Sequence, residues 1–383
     1  MVSRLLAEND VIVTGRALEV LRGECSAETI ALLVTRTVAF ARLRPAQKTW
    51  VVRELKRLGH VVAMVGDGMN DVGAVHAAHV GLSLTRREET AAVAPFVTKV
   101  PDLAPLLALL SAGRNAQTTT FVVFKFLALF PMVQLAMLET VGFLDVELST
   151  NQLMWGELAI ALALALAMSL TSDDPSTGAG ASRTLPTLTV DTLPKNLFSA
   201  RNFWSVLVQL AVFIVFFAGH IVLLNEQADW FCSAYNGIRW LEGERDGVPS
   251  ACGIYGDYNT LEHVAYSFEG TCFWLFGNLQ ILAIAAALMA PRDGSTGQRN
   301  VWFAVLWVVL VGVNAWFVFD SRDTVASVFE LMPVPMRYRW RIFVLFLGHL
   351  VAAILGELLV SRVASRSADA KVSQRVSRVW GKD

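Results

Sequence analysis

Charged residues are scarce in this chain, and their scarcity excludes the commonest class of protein of this length. Only 17% of its 383 residues are Asp, Glu, Lys or Arg, whereas 54% are hydrophobic. A soluble protein typically carries about 25% charged residues. The balance therefore points to a protein of the lipid bilayer rather than to a soluble enzyme.

Other features are missing as well. The 32 basic residues are balanced by 33 acidic ones, so the chain has no basic excess that would favour a nucleic-acid partner. There is no CxxC pair and no Cys/His metal spacing, so no zinc site is predicted. The N-terminus, MVSRLLAENDVIVTG, has no long apolar run and is not a secretory signal peptide. No internal repeat is visible.

What the chain does have is a series of long apolar stretches after residue 115. Each is close to the ~20 residues that a helix needs to cross ~30 Å of hydrocarbon. Six in series predict an all-α bundle of six transmembrane helices over residues 116–362, followed by a basic cytosolic tail at 363–383. The stretches cover residues 119–140, 148–170, 203–224, 268–290, 301–319 and 340–360.

Basic residues near the helix ends orient this bundle, because cytosolic loops are enriched in Lys and Arg. With residues 1–115 in the cytosol, the loop at about 225–266 is luminal. Residues 337–341 are an exception, since three arginines lie at the outer end of the last helix. The cytosolic connections and tail carry Arg183, Lys195, Arg201, Arg292, Arg299, Arg362, Arg366, Lys371, Arg375, Arg378 and Lys382.

Two of the four cysteines lie in the luminal loop. An oxidising lumen favours a disulfide between Cys232 and Cys252, and two free thiols are the alternative. Cys25 and Cys272 are predicted to be ordinary small apolar residues.

Residues 1–115 alternate between apolar runs and helical patterns. DVIVTG predicts a buried strand that ends at Gly15, residues 17–35 have a helical pattern, and VAFARL predicts a second strand. A helix follows from Pro45 to Gly59, and HVVAMVGDG then predicts a third, buried strand. Strands that alternate with helices favour a parallel sheet with crossover helices.

The strongest local signal is MVGDGMNDVGAV, residues 64–75. A strand ends in Gly-Asp-Gly, and Asn70 and Asp71 follow at the start of the next helix. Ligands of an open parallel sheet bind beyond the carboxyl ends of its strands, where helix N-termini offer free N–H groups to anions. The carboxylates of Asp67 and Asp71 suit Mg²⁺. An ordinary turn with helix caps is the alternative.

Two further segments point to the same site. Thr14 and Gly15 end the first strand, so they can offer a hydroxyl and an N–H to a phosphoryl oxygen. Lys48 lies near the start of the helix that precedes the Gly-Asp-Gly strand, where its charge can neutralise that group. A solvated lysine is the alternative.

Together VTG, ARLRPAQK and GDGMNDVGA resemble, in order and spacing, the phosphorylation domain of P-type ATPases, a partial haloacid-dehalogenase-like (Rossmannoid) α/β fold. By position, the resemblance implies phosphoryl contact by Thr14 and Gly15, charge neutralisation by Lys48 and Mg²⁺ ligation by Asp67. It places residues 70 and 71 in the hinge motif beside the phosphate. The family's nucleophilic Asp-Lys-Thr-Gly-Thr motif is absent, as is its nucleotide-binding domain. The resemblance therefore implies the C-terminal portion of a pump whose full-length form uses ATP.

The segment Ala78-His79-Val80-Gly81 and the stretches FVVFKFLALFPMVQL and YSFEGTCFWLFGNLQ resemble the type V, subclass B branch, which transports polyamines. The branch implies a late endosomal, lysosomal or vacuolar membrane. It also implies that Gln134 and Glu157 line the substrate path, although the family usually has Asp in place of Glu157 and Tyr in place of Phe130.

Polar groups at membrane depth are costly and usually functional. We expect Glu157 to be a buried carboxylate that pairs with a cationic amine, Gln134 to add a hydrogen-bonding group, and Phe130 and Trp155 to add cation–π contacts or simply to pack. Lys125 is predicted to snorkel to the cytosolic interface. Three other polar residues near helix ends are predicted to be interfacial: Glu269, His349 and Glu357.

Three alternatives stay open from the sequence. An inorganic-cation pump would need several carboxylates across neighbouring helices, whereas only Glu157 and Gln134 lie clearly at depth. A membrane-anchored phosphatase would need a nucleophile before Thr14, where Glu8 and Asp10 are the nearest acids and no Asp-x-Asp pattern exists. A non-catalytic paralogue is the third.

Overall fold

The computed structural model divides the chain into two compact units, Met1–Leu110 and Ser111–Asp383. Statements about structure concern the residues that it describes, which are 10–84, 94–99, 102–170, 196–227, 229–244, 246–257, 266–290, 300–320 and 323–380.

In the part of the first unit that the structure describes, five short strands form two parallel sheets. Strand β1 (Val11–Thr14) pairs with β2 (Thr37–Ala41), and β3 (Ala63–Gly66) pairs with β4 (Val80–Leu84), which also pairs with β5 (Phe96–Thr98). The parallel pairing agrees with the prediction. Within the described residues, however, β1 and β3 are each paired on one side only.

The prediction that these strands are buried is wrong. Ile12 in β1 is 66% exposed, and Val61, in the run that leads to β3, is 85% exposed. Both strands lie at an open sheet edge, where apolar side chains have fewer neighbours to cover them.

The described residues of this unit form four α-helices beside the sheets: α1 (Gly15–Glu24), α2 (Ala27–Arg36), α3 (Pro45–Arg57) and α4 (Val72–Ala77). The predicted single helix at 17–35 is wrong, because the chain is extended at Cys25 and Ser26. The Ser26 hydroxyl accepts a hydrogen bond from the Thr29 N–H and so begins a second helix, as capping serines do. A small core holds Val13, Leu18, Ile30, Leu33, Val34 and Val51.

Among the described residues, six helices are long and apolar enough to cross a membrane, and they make up most of the second unit. They coincide with the six predicted stretches, which confirms that part of the fold prediction. In chain order the helices are α5 (Ala104–Phe143), α6 (Thr150–Ser169), α7 (Ala200–Asn225), the short α8 (Ala234–Leu241), α9 (Phe268–Met289), α10 (Val301–Phe319), the short α11 (Asp323–Phe329) and α12 (Met336–Trp380), whose apolar part is Met336–Ala364.

Helix α9 lies at the centre of this unit, and nearly all of its residues are buried. Helix α5 continues through Pro131 without ending, as prolines in membrane helices often allow. Helix α6 widens into a π-helix over Trp155–Leu162. Such wide turns are rare and occur frequently at functional sites.

The loop between α7 and α9 is held by a disulfide between Cys232 and Cys252, so the free-thiol alternative is wrong. The Tyr255 hydroxyl donates to the Cys232 carbonyl at 3.1 Å, and burial raises the pKa of Tyr255. Cys272 is buried and Cys25 is half-buried, as expected of small apolar residues.

Arg339 is one of the three arginines at residues 337–341 that depart from the predicted enrichment of basic residues on the cytosolic side. Its buried guanidinium donates to the carbonyls of Val318 and Asp320, at the end of α10, and to that of Val334. An arginine that satisfies carbonyls left free at a helix end has a structural role, so this residue does not contradict the predicted orientation. Four basic residues of the predicted cytosolic connections lie outside the described residues: Arg183, Lys195, Arg292 and Arg299.

Candidate functional site

Two consecutive residues of α3 join the ends of two strands. The Gln47 side-chain amide donates to the Gly15 carbonyl at 2.9 Å, just after β1. The Lys48 ammonium donates to Asp71 Oδ1 at 2.6 Å, beside the turn that follows β3. The structure therefore brings Gly15, Lys48 and Asp71, three of the predicted site residues, to one place, and it adds Gln47, which the sequence did not single out.

Glycines at both strand ends are required by close backbone approach. A Cβ atom at Gly15 would lie 2.7 Å from the Arg42 carbonyl oxygen and 2.7 Å from Gln47 Oε1. A Cβ at Gly66 would lie 2.5 Å from the Cβ of Asp71. Neither position has room for a side chain, so the glycines hold the two ends of the site close to α3 and to Asp71.

The remaining predicted residues of this site are exposed. The Thr14 Oγ1 accepts from the Ala17 N–H at 3.3 Å and caps α1, which leaves its hydroxyl proton available to another acceptor. Asp67 and Asn70 lie on the surface of the turn after β3. Within the described part of the chain, neither forms a hydrogen bond to Thr14 or Lys48. Asp67 and Asn70 are therefore assigned to the site because they follow β3 in the sequence, and not because they contact the other site residues.

Of the two carboxylates predicted to bind Mg²⁺, only one is available to a metal ion. Asp71 is 8% exposed and engaged by Lys48, whereas Asp67 is exposed and has no ion pair with a described residue. No group of three or more His, Cys, Asp or Glu side chains among the described residues is arranged to hold a metal ion. Mg²⁺ usually takes one or two carboxylates and completes its shell with water and phosphate oxygens, and Asp67 fits that role better than Asp71.

In the second unit, the four predicted substrate residues differ in exposure. Gln134 is buried, Phe130 and Trp155 are half-buried, and Glu157 is exposed. The expectation that Glu157 is buried is therefore wrong. It lies on the side of α6 that carries the exposed Leu158, whereas the neighbouring Gly156 faces the bundle.

Trp155 is held mainly by its neighbours. Its indole N–H donates to Asn314 Oδ1 at 3.4 Å, and its ring meets those of Phe317 and Phe329 edge to face, with centroids 5.0 and 6.1 Å away. The contacts favour a packing role for this ring and leave its cation–π role a prediction.

The sequence missed a charged cluster inside the bundle. The Lys125 ammonium donates to Ser205 Oγ at 2.8 Å and to Glu357 Oε1 at 3.0 Å, and Ser205 Oγ donates to Glu357 Oε2 at 2.6 Å. Lys125 is 1% exposed and Glu357 is 4% exposed. The predictions of a snorkelling lysine and an interfacial glutamate are both wrong, because each charge finds its partner on another helix.

Two further residues predicted to be interfacial are also buried. Glu269 accepts from the Ala234 N–H at 2.9 Å and so ties α8 to the first turn of α9. His349 is fully buried and stacks on Phe216 with ring centroids 5.2 Å apart. A position near a helix end indicates depth in the membrane but not which face of the helix a side chain occupies.

No protein-family model matches the chain. It is 26% identical over 340 residues to the probable cation-transporting ATPase 13A4 of Mus musculus, with 88% of this chain and 27% of that protein covered. It is 26% identical over 352 residues to the polyamine-transporting ATPase 13A3 of Macaca fascicularis, with 89% and 26% covered. The probable cation-transporting ATPase 13A5 of Homo sapiens is 25% identical over 351 residues, with 90% and 28% covered. The chain thus spans about a quarter of the length of these curated relatives.

Proposed function

Because the homologues of this chain are P-type ATPases of the 13A group, we propose that it is the C-terminal portion of an ATP-driven transporter. The transporter moves an organic cation, a polyamine, across a membrane through an aspartyl-phosphate cycle. The observation that carries the proposal is the junction made by Gln47 and Lys48, which sets a cationic side chain at the ends of two strands. The same chain supplies six helices able to cross a membrane.

In the phosphoryl site, Lys48 is the charge that neutralises the transferred group. Its pairing with Asp71 keeps the ammonium at the strand ends when no phosphate is bound. Thr14 and the Gly15 N–H orient the phosphoryl oxygens, and Asp67 holds Mg²⁺. When bound, Mg²⁺ supplies Lewis-acid charge neutralisation. Positioning and electrostatics of this kind provide most of the catalysis in phosphoryl transfer.

In the complete transporter, the nucleophilic aspartate would come from a segment outside residues 1–383. Among the described residues, β1 and β3 each have one unpaired edge. A parallel strand between them would join the two sheets into one and would cover Ile12, which is 66% exposed. The carboxyl end of that strand would lie between Gly15 and the turn that bears Asp67, where Lys48 reaches a phosphorylated side chain.

In the membrane, Gln134 and Glu157 bind the transported cation. An exposed carboxylate at membrane depth is costly unless something covers it, so Glu157 faces either preceding helices of the transporter or the passenger itself. The described residues offer no group of three acidic, His or Cys side chains that would replace the water around a small metal ion. A long amine with spaced charges suits this sparse set better. We place the transporter in a late endosomal, lysosomal or vacuolar membrane. Imaging of the tagged protein would test this location.

The test uses the complete transporter in proteoliposomes and measures phosphate release with and without spermine. Lys48→Gln removes the neutralising charge, and we expect stimulated hydrolysis to fall by about 100-fold or more, as when a preorganised electrostatic group is removed. Arg53→Gln is the matched control, because Arg53 is an exposed cation on the same helix and should leave the rate unchanged. Equal rates for the two variants would refute the role of Lys48.

A further inference from the structure

Three helices meet at the buried cluster of Lys125, Ser205 and Glu357. Lys125 belongs to α5, Ser205 to α7 and Glu357 to α12. The Lys125 ammonium donates to Ser205 Oγ at 2.8 Å and to one Glu357 oxygen at 3.0 Å, while Ser205 Oγ donates to the other Glu357 oxygen at 2.6 Å. Each of these bonds joins two different helices, so the cluster fixes the direction in which the Lys125 side chain leaves α5.

Helices α7 and α12 are also held to each other without Lys125. The Gln209 amide of α7 donates to the Ala353 carbonyl of α12 at 2.9 Å. Nearby, a Cβ atom at Gly356 would lie 2.7 Å from Cγ1 of Val208, so the two helices approach closely beside the cluster. Lys125 therefore links α5 to a pair of helices that is already packed.

The buried face of α5 has a polar residue at each edge. Lys125 and Gln134 are nine residues apart, so they lie about half a turn from each other around the helix axis. A rotation of α5 by one residue position, about 100°, would move both polar side chains away from their present neighbours. The buried residues between the two edges are apolar: Phe126, Leu129, Val133 and Met137.

Apolar packing by itself defines this rotation weakly. Lipid tails are as apolar as the side chains of the bundle, so burial of Leu129 or Val133 brings no hydrophobic gain over contact with lipid. A displaced Lys125 would instead leave charged groups unpaired in an apolar interior, which is strongly destabilising. The best-attested use of a buried polar group is to fix the register of helices.

We propose that Lys125, Ser205 and Glu357 are positioning residues that fix the rotation of α5 and so keep Gln134 turned into the bundle. The inference rests on the proposed function, because Gln134 is one of its substrate residues. The cluster acts on the transported cation only through α5.

Cysteine cross-linking measures the rotation without any substrate. The Met137 sulfur in α5 lies 2.9 Å from the position of a Cβ atom at Gly277 in α9, so Met137→Cys/Gly277→Cys should form a disulfide on mild oxidation. Leu138→Cys/Gly277→Cys is the matched control, since residue 138 is exposed and lies about 100° around the helix. Both pairs are made in the complete transporter with Cys272→Ala. A protease site inserted within residues 171–195 separates the two cysteines unless they are cross-linked.

The variant Lys125→Met/Glu357→Leu removes the link, and replacement of both partners by apolar groups often leaves stability nearly unchanged. With the cluster intact, we expect the disulfide from residue 137 and none from residue 138. In the apolar variant we expect the first to be lost in favour of the second, since a disulfide needs Cβ atoms about 3.5–4.5 Å apart.

The spermine concentration for half-maximal stimulation of ATP hydrolysis should respond as well. When Gln134 turns away, the transported cation loses a hydrogen bond, so we expect this concentration to rise about tenfold or more in Lys125→Met/Glu357→Leu. A cluster that only stabilises the fold predicts no change, because the half-maximal concentration does not depend on the amount of folded protein.

The reversed pair Lys125→Glu/Glu357→Lys is the control that keeps the link. The two side chains together keep their length, and the Ser205 hydroxyl can both donate and accept, so the cluster re-forms with its charges exchanged. We expect wild-type cross-linking and a wild-type half-maximal concentration. Lys125→Arg, which keeps the charge in place, is a second control with the same expected result.

If Lys125→Met/Glu357→Leu cross-links and responds to spermine as the wild type does, the positioning role is refuted and the proposed function stands. If the reversed pair and Lys125→Arg both fold and behave like the apolar variant, the link does not fix α5 and the positioning role is refuted as well. If spermine does not stimulate the wild type, the proposed function is wrong, and the cross-linking still decides whether the cluster fixes the rotation of α5.

Discussion

The strand-end site of the α/β unit and the interior of the helical unit hold charged side chains in different ways. In the α/β unit, Asp67 is exposed and the Lys48 side chain keeps 32% of its surface accessible. In the helical unit, Lys125 and Glu357 are almost wholly buried and bonded to each other. A charged side chain in water needs no protein partner and remains available to bind a ligand, whereas a charged side chain in an apolar interior must be paired by the protein. Exposed charges here are therefore candidates for ligand binding, and buried ones for structure.

The largest expected effect concerns the buried pair. Lys125→Met removes the ammonium that donates to the buried Glu357 carboxylate at 3.0 Å, and removal of one partner of a buried pair costs about 3–5 kcal/mol. We expect a loss of this size in the free energy of unfolding, measured in detergent by tryptophan fluorescence.

The double variant Lys125→Met/Glu357→Leu is the control, because replacement of both partners by apolar groups is often nearly neutral. Lys48→Met removes one partner of the partly buried pair in the other unit and should lower stability by less than Lys125→Met does, because the Lys48 side chain keeps 32% of its surface accessible and water can screen the carboxylate that is left behind. A Lys48→Met loss as large as that of Lys125→Met would contradict the difference between the units.

The disulfide gives the next largest effect. Cys232 and Cys252 are 20 residues apart, and closure of a loop of that length stabilises by about 3 kcal/mol in the chain-entropy view. We expect Cys232→Ala/Cys252→Ala to lower the free energy of unfolding by up to this amount and to make the loop accessible to protease. Cys25→Ala, at a free cysteine in the other unit, should change neither property.

Gly66→Ala should have a smaller effect. The added Cβ would meet the Cβ of Asp71 at 2.5 Å, and overpacking of this kind costs about 1–3 kcal/mol. Gly68→Ala is the matched control, since a Cβ there meets nothing within 4 Å. Thermal unfolding of the two variants should differ accordingly, and equal melting temperatures would show that Asp71 yields without strain.

The smallest effect is expected at the break between α1 and α2. Ser26→Ala removes the cap of α2 and should cost about 1 kcal/mol, whereas Ser26→Gly should cost only a few tenths. Both follow from the hydrogen bond that Ser26 accepts from Thr29. Urea unfolding of the wild type, Ser26→Ala and Ser26→Gly would measure the order of their stabilities. An alanine variant as stable as the wild type would show that α2 does not depend on this cap.

Composition and local sequence pattern predicted the helices and strands better than they predicted the contacts between them. The six membrane stretches coincide with six helices, because ~20 apolar residues suffice to identify a span. The first helix nevertheless begins at Ala104, well before the predicted 119, since a helix that continues into water loses the apolar signal. The single helix predicted at 17–35 overlooked the capping serine.

Contacts between distant helices could not be predicted. Lys125 bonds to residues 80 and 232 positions away, and no local pattern encodes such a partner. For the same reason, the position of Glu157 deep in its apolar run did not reveal that its side chain is exposed. The strand-end site was easier, because parallel strands bring their carboxyl ends to one edge.

The most direct test of the phosphoryl site is the formation of an acid-stable, hydroxylamine-sensitive phosphoenzyme from labelled ATP by the complete transporter. Asp67→Asn should reduce incorporation to about one hundredth of wild type or less, since Asp67 is proposed to hold the Mg²⁺. Asp10→Asn, at an exposed acid before Thr14, should incorporate as the wild type does. Full labelling of Asp67→Asn, or loss of labelling in Asp10→Asn, would contradict the proposed site.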